Sequence, residues 1–248
     1  MRRWSGIVPM VVCAVMVVTG CGARDRAERR ATAPPPARSS TAPATTNRPA
    51  AAPIVVNTDG LQAEITPGAM AKWAADVSHG QEAAVVAKCW TIAPQYIAER
   101  YFAEPATVAT IFAQRPVSGQ AGVAWGRYES AYAHVPWSEA KSGYPCPRIR
   151  LNAAQQIYPD DFVAHIARRF ILRAQGRPIN PADTAASYPL ECTVVRGPIA
   201  NVERGDVQLI TVTREDLPHG DIRWIVQAGL LTMRMALEPG VVCVQAAA

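Results

Sequence analysis

Ile222-Arg-Trp-Ile-Val-Gln-Ala-Gly-Leu-Leu-Thr-Met-Arg-Met235 decides the fold class. Aromatic and β-branched side chains alternate with polar ones at a period of two, the pattern of a half-buried strand. Ile222, Trp224, Val226 and Ala228 share one parity, whereas Leu231, Met233, Met235 and Leu237 share the other. The apolar phase therefore changes at Gly229, which reads as a bulge inside one long strand over residues 222–235. Residues 190–196, 207–213 and 241–245 have similar strand composition, and Gly205-Asp206, His219-Gly220 and Pro239-Gly240 supply turns between them. Short strands with turn residues between them imply an antiparallel meander.

Upstream the period lengthens. Thr66-Pro67 is a capping residue followed by a proline suited to a first helical position, and Met70, Trp73, Ala74 and Val77 then share a face until Gly80. Further helical segments run through Val85, Val86, Cys89 and Ile92, then over residues 94–102 and 105–112, each of the last two opened by a proline. Two prolines so placed break any single long helix. Residues 122–135 return to strand composition, residues 148–151 form a second short strand, and Ser142-Gly-Tyr-Pro-Cys-Pro between them is turn chemistry. Residues 159–174 give the clearest helix, with Asp160 and Asp161 in its first turn and Arg168, Arg169 and Arg173 toward its end, both charge sets complementing the macrodipole. The expectation is one α+β domain over residues 54–248, with N-terminal helices packed on a curved, mainly antiparallel sheet. That element order resembles the helix-on-sheet cone of cystatin-like and nuclear-transport-factor-like domains, which include enzymes, carriers and assembly modules, so the resemblance implies a fold and no activity.

At the N-terminus Arg2 and Arg3 precede an apolar run over residues 7–18, too short to span a bilayer and shaped as a secretory signal. The run ends in Val18-Thr19-Gly20-Cys21, which resembles the lipobox of bacterial lipoproteins. The resemblance implies cleavage after residue 20, lipid on Cys21 and attachment to the extracytoplasmic face of the cell membrane, stable because more than one acyl chain inserts. Residues 21–53, rich in Ala, Pro, Thr, Ser and Arg and including Pro34-Pro35-Pro36, have little to bury and read as a disordered tether. With its Ala/Pro/Arg-rich tether and four-cysteine domain, the chain resembles uncharacterised secreted lipoproteins of mycobacteria and related actinobacteria. That resemblance implies a compartment and no activity.

A net charge of +5 invites a nucleic-acid reading, but residues 1–52 hold eight arginines against two acidic residues. The folded part is thus close to neutral, and nucleic acid is not an expected partner. Once Cys13 leaves with the signal and Cys21 is acylated, Cys89, Cys146, Cys192 and Cys243 remain, an even set in an oxidising compartment. Two disulfides are expected, Cys89 to Cys146 and Cys192 to Cys243, each closing a loop within one half of the domain. The competing metal site lacks a Cys-x-x-Cys or a closely spaced Cys/His pair, and neither metal nor cofactor is expected.

Among catalytic signatures, Ser138-Glu-Ala-Lys141 matches Ser-x-x-Lys and overlaps Lys141-Ser142-Gly143, which matches the Lys-Ser/Thr-Gly of penicillin-recognising enzymes. One lysine cannot serve both motifs, and Ser138 reads instead as the N-cap of a short turn. His79, His134, His165 and His219 are scattered without zinc-ligand spacing, and no nucleophile elbow, phosphate loop or dinucleotide fingerprint occurs. The functional expectation is a non-catalytic interaction or assembly module of the envelope, with a membrane contact through its anchor and an envelope protein as partner. The alternative is a carrier of an apolar or amphipathic, lipid-like ligand in a sheet-lined pocket, with Trp125, Trp224, Met233 and Met235 as the candidate walls. A hydrolase with an unrecognised site ranks third.

Overall fold

Proline sets the start of three helices in the first layer, where a missing N–H removes no intrahelical bond. These are α1 (Pro67–Ser78), α3 (Pro94–Ile97) and α4 (Pro105–Ala113). Between α1 and α3 lies α2 (Glu82–Lys88), which stops at Cys89 rather than continuing toward Ile92, and α3 runs on into a π-helical turn over Ala98–Phe102. The computed structural model describes residues 53–61, 67–140, 142–218, 221–238 and 240–248, which belong to one compact unit. The segment read as a signal, Cys21 and residues 21–52 of the expected tether lie outside the described residues, as do Thr66, Lys141 and the turn expected at His219-Gly220. Helix α1 buries Met70, Trp73, Ala74 and Val77, the face its periodicity marks. The Trp73 ring lies 5.2 Å from that of Tyr101 and 4.8 Å from Phe112, which in turn meets Trp125.

The strand expected over residues 122–135 is two strands joined by a hairpin. The first sheet has the order β1 (Val117–Gly119), β2 (Gly122–Gly126), β3 (Tyr132–Pro136) and β4 (Arg148–Arg150), all antiparallel. Arg127-Tyr-Glu-Ser-Ala131 has the composition of neither partner strand, and Gly126 pairs with Tyr132 across it. After β3 the chain makes one turn of helix, α5 (Trp137–Ala140), and Ser138 sits within it rather than capping it. The long helix α6 (Asp160–Ala174) carries Asp160 and Asp161 in its first turn and Arg173 in its last. It closes with the Arg177 N–H donating to the Leu172 carbonyl and the Gly176 N–H to that of Arg173. Gly176 has φ +69°, so the helix ends in a Schellman motif that only a glycine adopts without strain.

The change of apolar phase at Gly229 is a chain reversal, not a bulge. The second sheet is a meander of β5 (Ile210–Asp216), β6 (Ile222–Ala228), β7 (Leu231–Glu238) and β8 (Val241–Ala247). Ala228 pairs with Leu231 across the two-residue turn Gly229-Leu230, where Gly229 has φ +66° and Leu230 is 99% exposed. A two-residue hairpin with glycine first fits the right-handed twist of its strands. The parity reading survives this correction, because the register places Trp224 opposite Met235, Val226 opposite Met233 and Ala228 opposite Leu231. Residues 190–196 are not a regular strand. They form, with residues 197–200, an irregular strap along the edge of β8, held where Cys192 N–H donates to Val244 O, Arg196 N–H to Gln245 O and Ala200 N–H to Ala247 O. Gly197 and Pro198 interrupt the ladder, and the strap covers an edge that would otherwise stand open.

The protein thus combines helices with antiparallel sheets, as expected, but has two sheets where the element order suggested one. Residues 151–209, containing α6 and the strap, intervene between them. A single contiguous core nevertheless runs from Trp73 and Phe112 through Trp125 and Phe162 to Trp224 and Met233. Both disulfides carry the expected pairing. Cys89–Cys146 ties the end of α2 to the approach to β4, and Cys192–Cys243 ties the strap to β8.

Candidate functional site: a groove between α6 and the strap

The inner faces of both sheets are filled by core packing. Trp125, Met233 and Met235 have no exposed surface and Trp224 has 1%. Trp125 donates its indole N–H to the Asn57 carbonyl at 2.9 Å. The four side chains named from the sequence as pocket walls are therefore enclosed, and none of them lines the cavities described below.

Helix α6 is amphipathic, but its buried face is not purely apolar. Arg169 is buried and makes a two-pronged pair with Asp183, Nε to Oδ2 at 3.2 Å and an η nitrogen to Oδ1 at 2.9 Å. Arg173, one turn later, also donates to Asp183 Oδ1 and, at 3.0 Å, to the Tyr188 carbonyl. A second buried pair joins Arg148 on β4 to Glu139 in α5, with both carboxylate oxygens engaged and side-chain exposures of 5% and 6%. Burial opposes the charge on Arg148, but the Glu139 carboxylate outweighs it and raises its pKa. Removing one member of such a pair strands the other and costs about 3–5 kcal/mol. Trp90 backs this cluster, with the Arg169 guanidinium over its ring at 4.9 Å and the Tyr188 ring edge-on at 4.8 Å.

Ser138, Glu139, Arg148, Tyr158, Arg169 and Tyr188 surround a cavity of about 30 Å³, room for a water molecule and little more. The structure therefore places Ser138 beside charged groups, but its neighbouring carboxylate is committed to Arg148, and the Tyr158 hydroxyl donates to Gly240 O at 2.6 Å. The two buried histidines, His134 and His165, are elsewhere. His134 on β3 lies between Gly122 and Gly240, and burial pushes its pKa down to about 4, assisted by the charge of Arg148. His165 on α6 meets the Trp90 carbonyl at 2.9 Å, and burial pushes it down to about 4 as well. The carboxylate of Glu238 lies close to Cys192 and Cys243, but their sulfurs are spent on the disulfide and Glu238 accepts the N–H groups of Thr193 and Val194.

The roomiest feature next to this cluster is an open groove of about 480 Å³ between the last two turns of α6 and the strap. Its walls are mainly apolar: Phe170 and Ala174 from the helix face Pro189, Leu190, Ile199 and Val202. Arg173 is the charged residue on the helix wall, 17% exposed at its side chain, and its Nε is buried without a hydrogen-bond partner among the described residues. Glu191 and Glu203 stand exposed at the rim. Asn201, at the head of the short 3₁₀ turn Val202–Arg204, has φ +56°, a left-handed conformation that turns the strap back toward the helix. A concave, largely apolar space of several hundred Å³ with few polar groups is the usual form of a small-ligand site.

Neither a protein-family model, nor a curated protein, nor a solved structure matches this chain. The groove was missed in the sequence because its walls come from a segment read as a strand, residues 190–196, and from the Pro/Gly-interrupted stretch after it. Leu190, Ile199 and Val202 follow no helical or strand period that would have marked them as one wall.

Proposed function

We propose that this chain is an envelope lipoprotein, held at the extracytoplasmic face of the cell membrane by lipid on Cys21, and that its folded part binds an apolar or amphipathic ligand. The observation that carries the binding reading is the groove of about 480 Å³ between α6 and the strap, within the size range of small-ligand sites. Its apolar walls supply the driving force, at about 25 cal/mol per Å² of apolar surface removed from water. The compartment rests on the sequence, through the signal and the lipobox-like Val18-Thr19-Gly20-Cys21.

A second reading, a non-catalytic assembly module, is favoured by a different surface. Val194 and Leu237, 56% and 38% exposed, share a shallow concavity with Arg196, Arg223 and Arg234 on the outer side of the second sheet. Exposed apolar residues ringed by charge are the form of a protein contact.

The two readings separate in one experiment. Native mass spectrometry of the gently extracted protein should show a retained small molecule, and Ala174→Trp should eliminate it. Ala174 is exposed on the groove wall, so an indole there fills the groove without displacing the core. If the mass is bare and in-cell crosslinks concentrate at Val194 and Leu237, the assembly reading replaces the carrier reading.

A further inference from the structure

The charge accounting around α6 bears on what the groove takes. Arg148 and Glu139 pair one to one through both carboxylate oxygens, and Arg169 holds both oxygens of Asp183. Arg173 shares only Oδ1 of that carboxylate, so three guanidiniums face two carboxylates and Arg173 is the incompletely matched cation. Of these three guanidiniums it is the one that lines the groove, with its side chain 17% exposed where Arg148 and Arg169 are enclosed.

Two features of the groove act in the other direction and are weaker. The C-terminal end of a helix carries a partial negative charge, but three of the last carbonyls of α6 are already bonded: those of Ile171, Leu172 and Arg173 accept from Gln175, Arg177 and Gly176. Glu191 and Glu203 stand at the exposed rim, with Glu203 58% exposed and 3.9 Å from Arg204. Charges in that position are screened by water and salt, whereas the partly buried Arg173 is not.

We infer that the groove takes a single-chain amphiphile with a terminal anion, a carboxylate or a phosphate, its head pairing with the exposed part of the Arg173 guanidinium and its chain lying against Phe170, Leu190, Ile199 and Val202. This rests on the carrier reading of the same groove. The chemistry shared by the two head groups is a set of oxygens that match a guanidinium edge.

The test uses the full lipidated chain in nanodiscs of zwitterionic lipid. Three photoreactive probes share one chain and differ in the head: a fatty acid, its phosphate monoester and its alcohol. The labelled peptides are then mapped. One anionic probe or both should label residues 170–203 roughly tenfold more than the alcohol, the return expected from one charge-assisted hydrogen bond. Which of the two leads identifies the source as free fatty acid or phospholipid-derived. Arg173→Gln should abolish the anionic excess, read as the ratio of anionic to alcohol labelling within that same variant, while Arg173→Lys, which keeps the charge, should retain most of it. Equal labelling by all three heads, or an excess that survives Arg173→Gln, overturns the anion assignment and leaves the groove standing. Absence of groove labelling by every probe overturns the carrier reading on which the assignment rests.

Discussion

Lowering the pH from about 7.5 to about 5 should unfold this domain more easily, and two buried histidines account for the effect. His134 and His165 are 4% and 9% exposed, and burial holds both at about 4, against 6.5 for a free imidazole. Both are bases with a depressed folded pKa. Between pH 6.5 and about 4 the unfolded chain binds protons that the native state refuses, so stability rises with pH through that window and falls on acidification. At pH 5 the proton-binding ratio of unfolded to native for such a group is about thirtyfold, or about 2 kcal/mol for each histidine. The pair together contributes about 4 kcal/mol, a large share of the roughly 5–15 kcal/mol that holds a domain folded.

The groups packed around each ring support the direction. His134 faces Arg148, whose charge opposes a second cation more than Glu139 favours it, and its stacked neighbour is Tyr132. His165 faces Arg168 and Arg169, with Asp183 as the weaker opposing charge. The carboxylates with lowered values, Asp76 and Glu238, start from ordinary values of 3.8 and 4.5. Their stabilisation is present above those values and is lost as pH falls through their folded pKa, so the interval from 7.5 to 5 isolates the histidines. Urea titrations followed by tryptophan fluorescence, at half-unit steps, read the slope directly. His134→Gln and His165→Gln, which retain an N–H donor, should each remove about half of it. A midpoint that stays flat between pH 7.5 and 5, or a slope untouched by both substitutions, refutes the reasoning.

Two further outcomes follow from the covalent chemistry. Opening either bridge, by Cys89→Ala with Cys146→Ala or by Cys192→Ala with Cys243→Ala, should lower unfolding stability by about 4 kcal/mol at most, from loops of 57 and 51 residues in the chain-entropy relation; equal urea midpoints for wild type and both variants would count against it. Cys21→Ala should eliminate metabolic acyl labelling and release the chain from membranes or arrest its processing; unchanged detergent partitioning would remove the anchor from the proposal.

The fold was legible where local pattern and tertiary demand coincide. The prolines at 67, 94 and 105 mark helix starts because a first-turn position asks nothing of the missing N–H, and the structure places all three there. The cysteine pairing was legible because each bridge stays within one half of the domain. What failed was the reading of Gly229 as a bulge. A bulge and a two-residue hairpin both change the side-chain phase, and only pairing between Ala228 and Leu231, a tertiary fact, tells them apart. The partition into two sheets failed for the same reason, since periodicity assigns faces and not partners. The groove was illegible because Leu190, Ile199 and Val202 have no period of their own, and Asn201, of a residue type that tolerates the αL conformation, marks a bend without indicating what the bend faces. Trp125, Trp224, Met233 and Met235 were rightly placed on strands, but strand residues of that kind serve a core far more readily than a pocket.

The strap connects these observations. It has no regular strand structure, yet it is fixed along β8 by hydrogen bonds near both ends and by the Cys192–Cys243 disulfide, and Arg173 holds its approach through the Tyr188 carbonyl. A groove wall made from an unrestrained loop would lose ordering entropy each time a ligand bound. A wall fastened beforehand has already met that cost during folding, so the apolar contacts of Leu190, Ile199 and Val202 are available to the ligand. On this argument the second disulfide acts on affinity as well as on stability. Its removal should weaken retention of a groove ligand even at temperatures where the domain remains folded, because the wall, not the core, is what it holds in place.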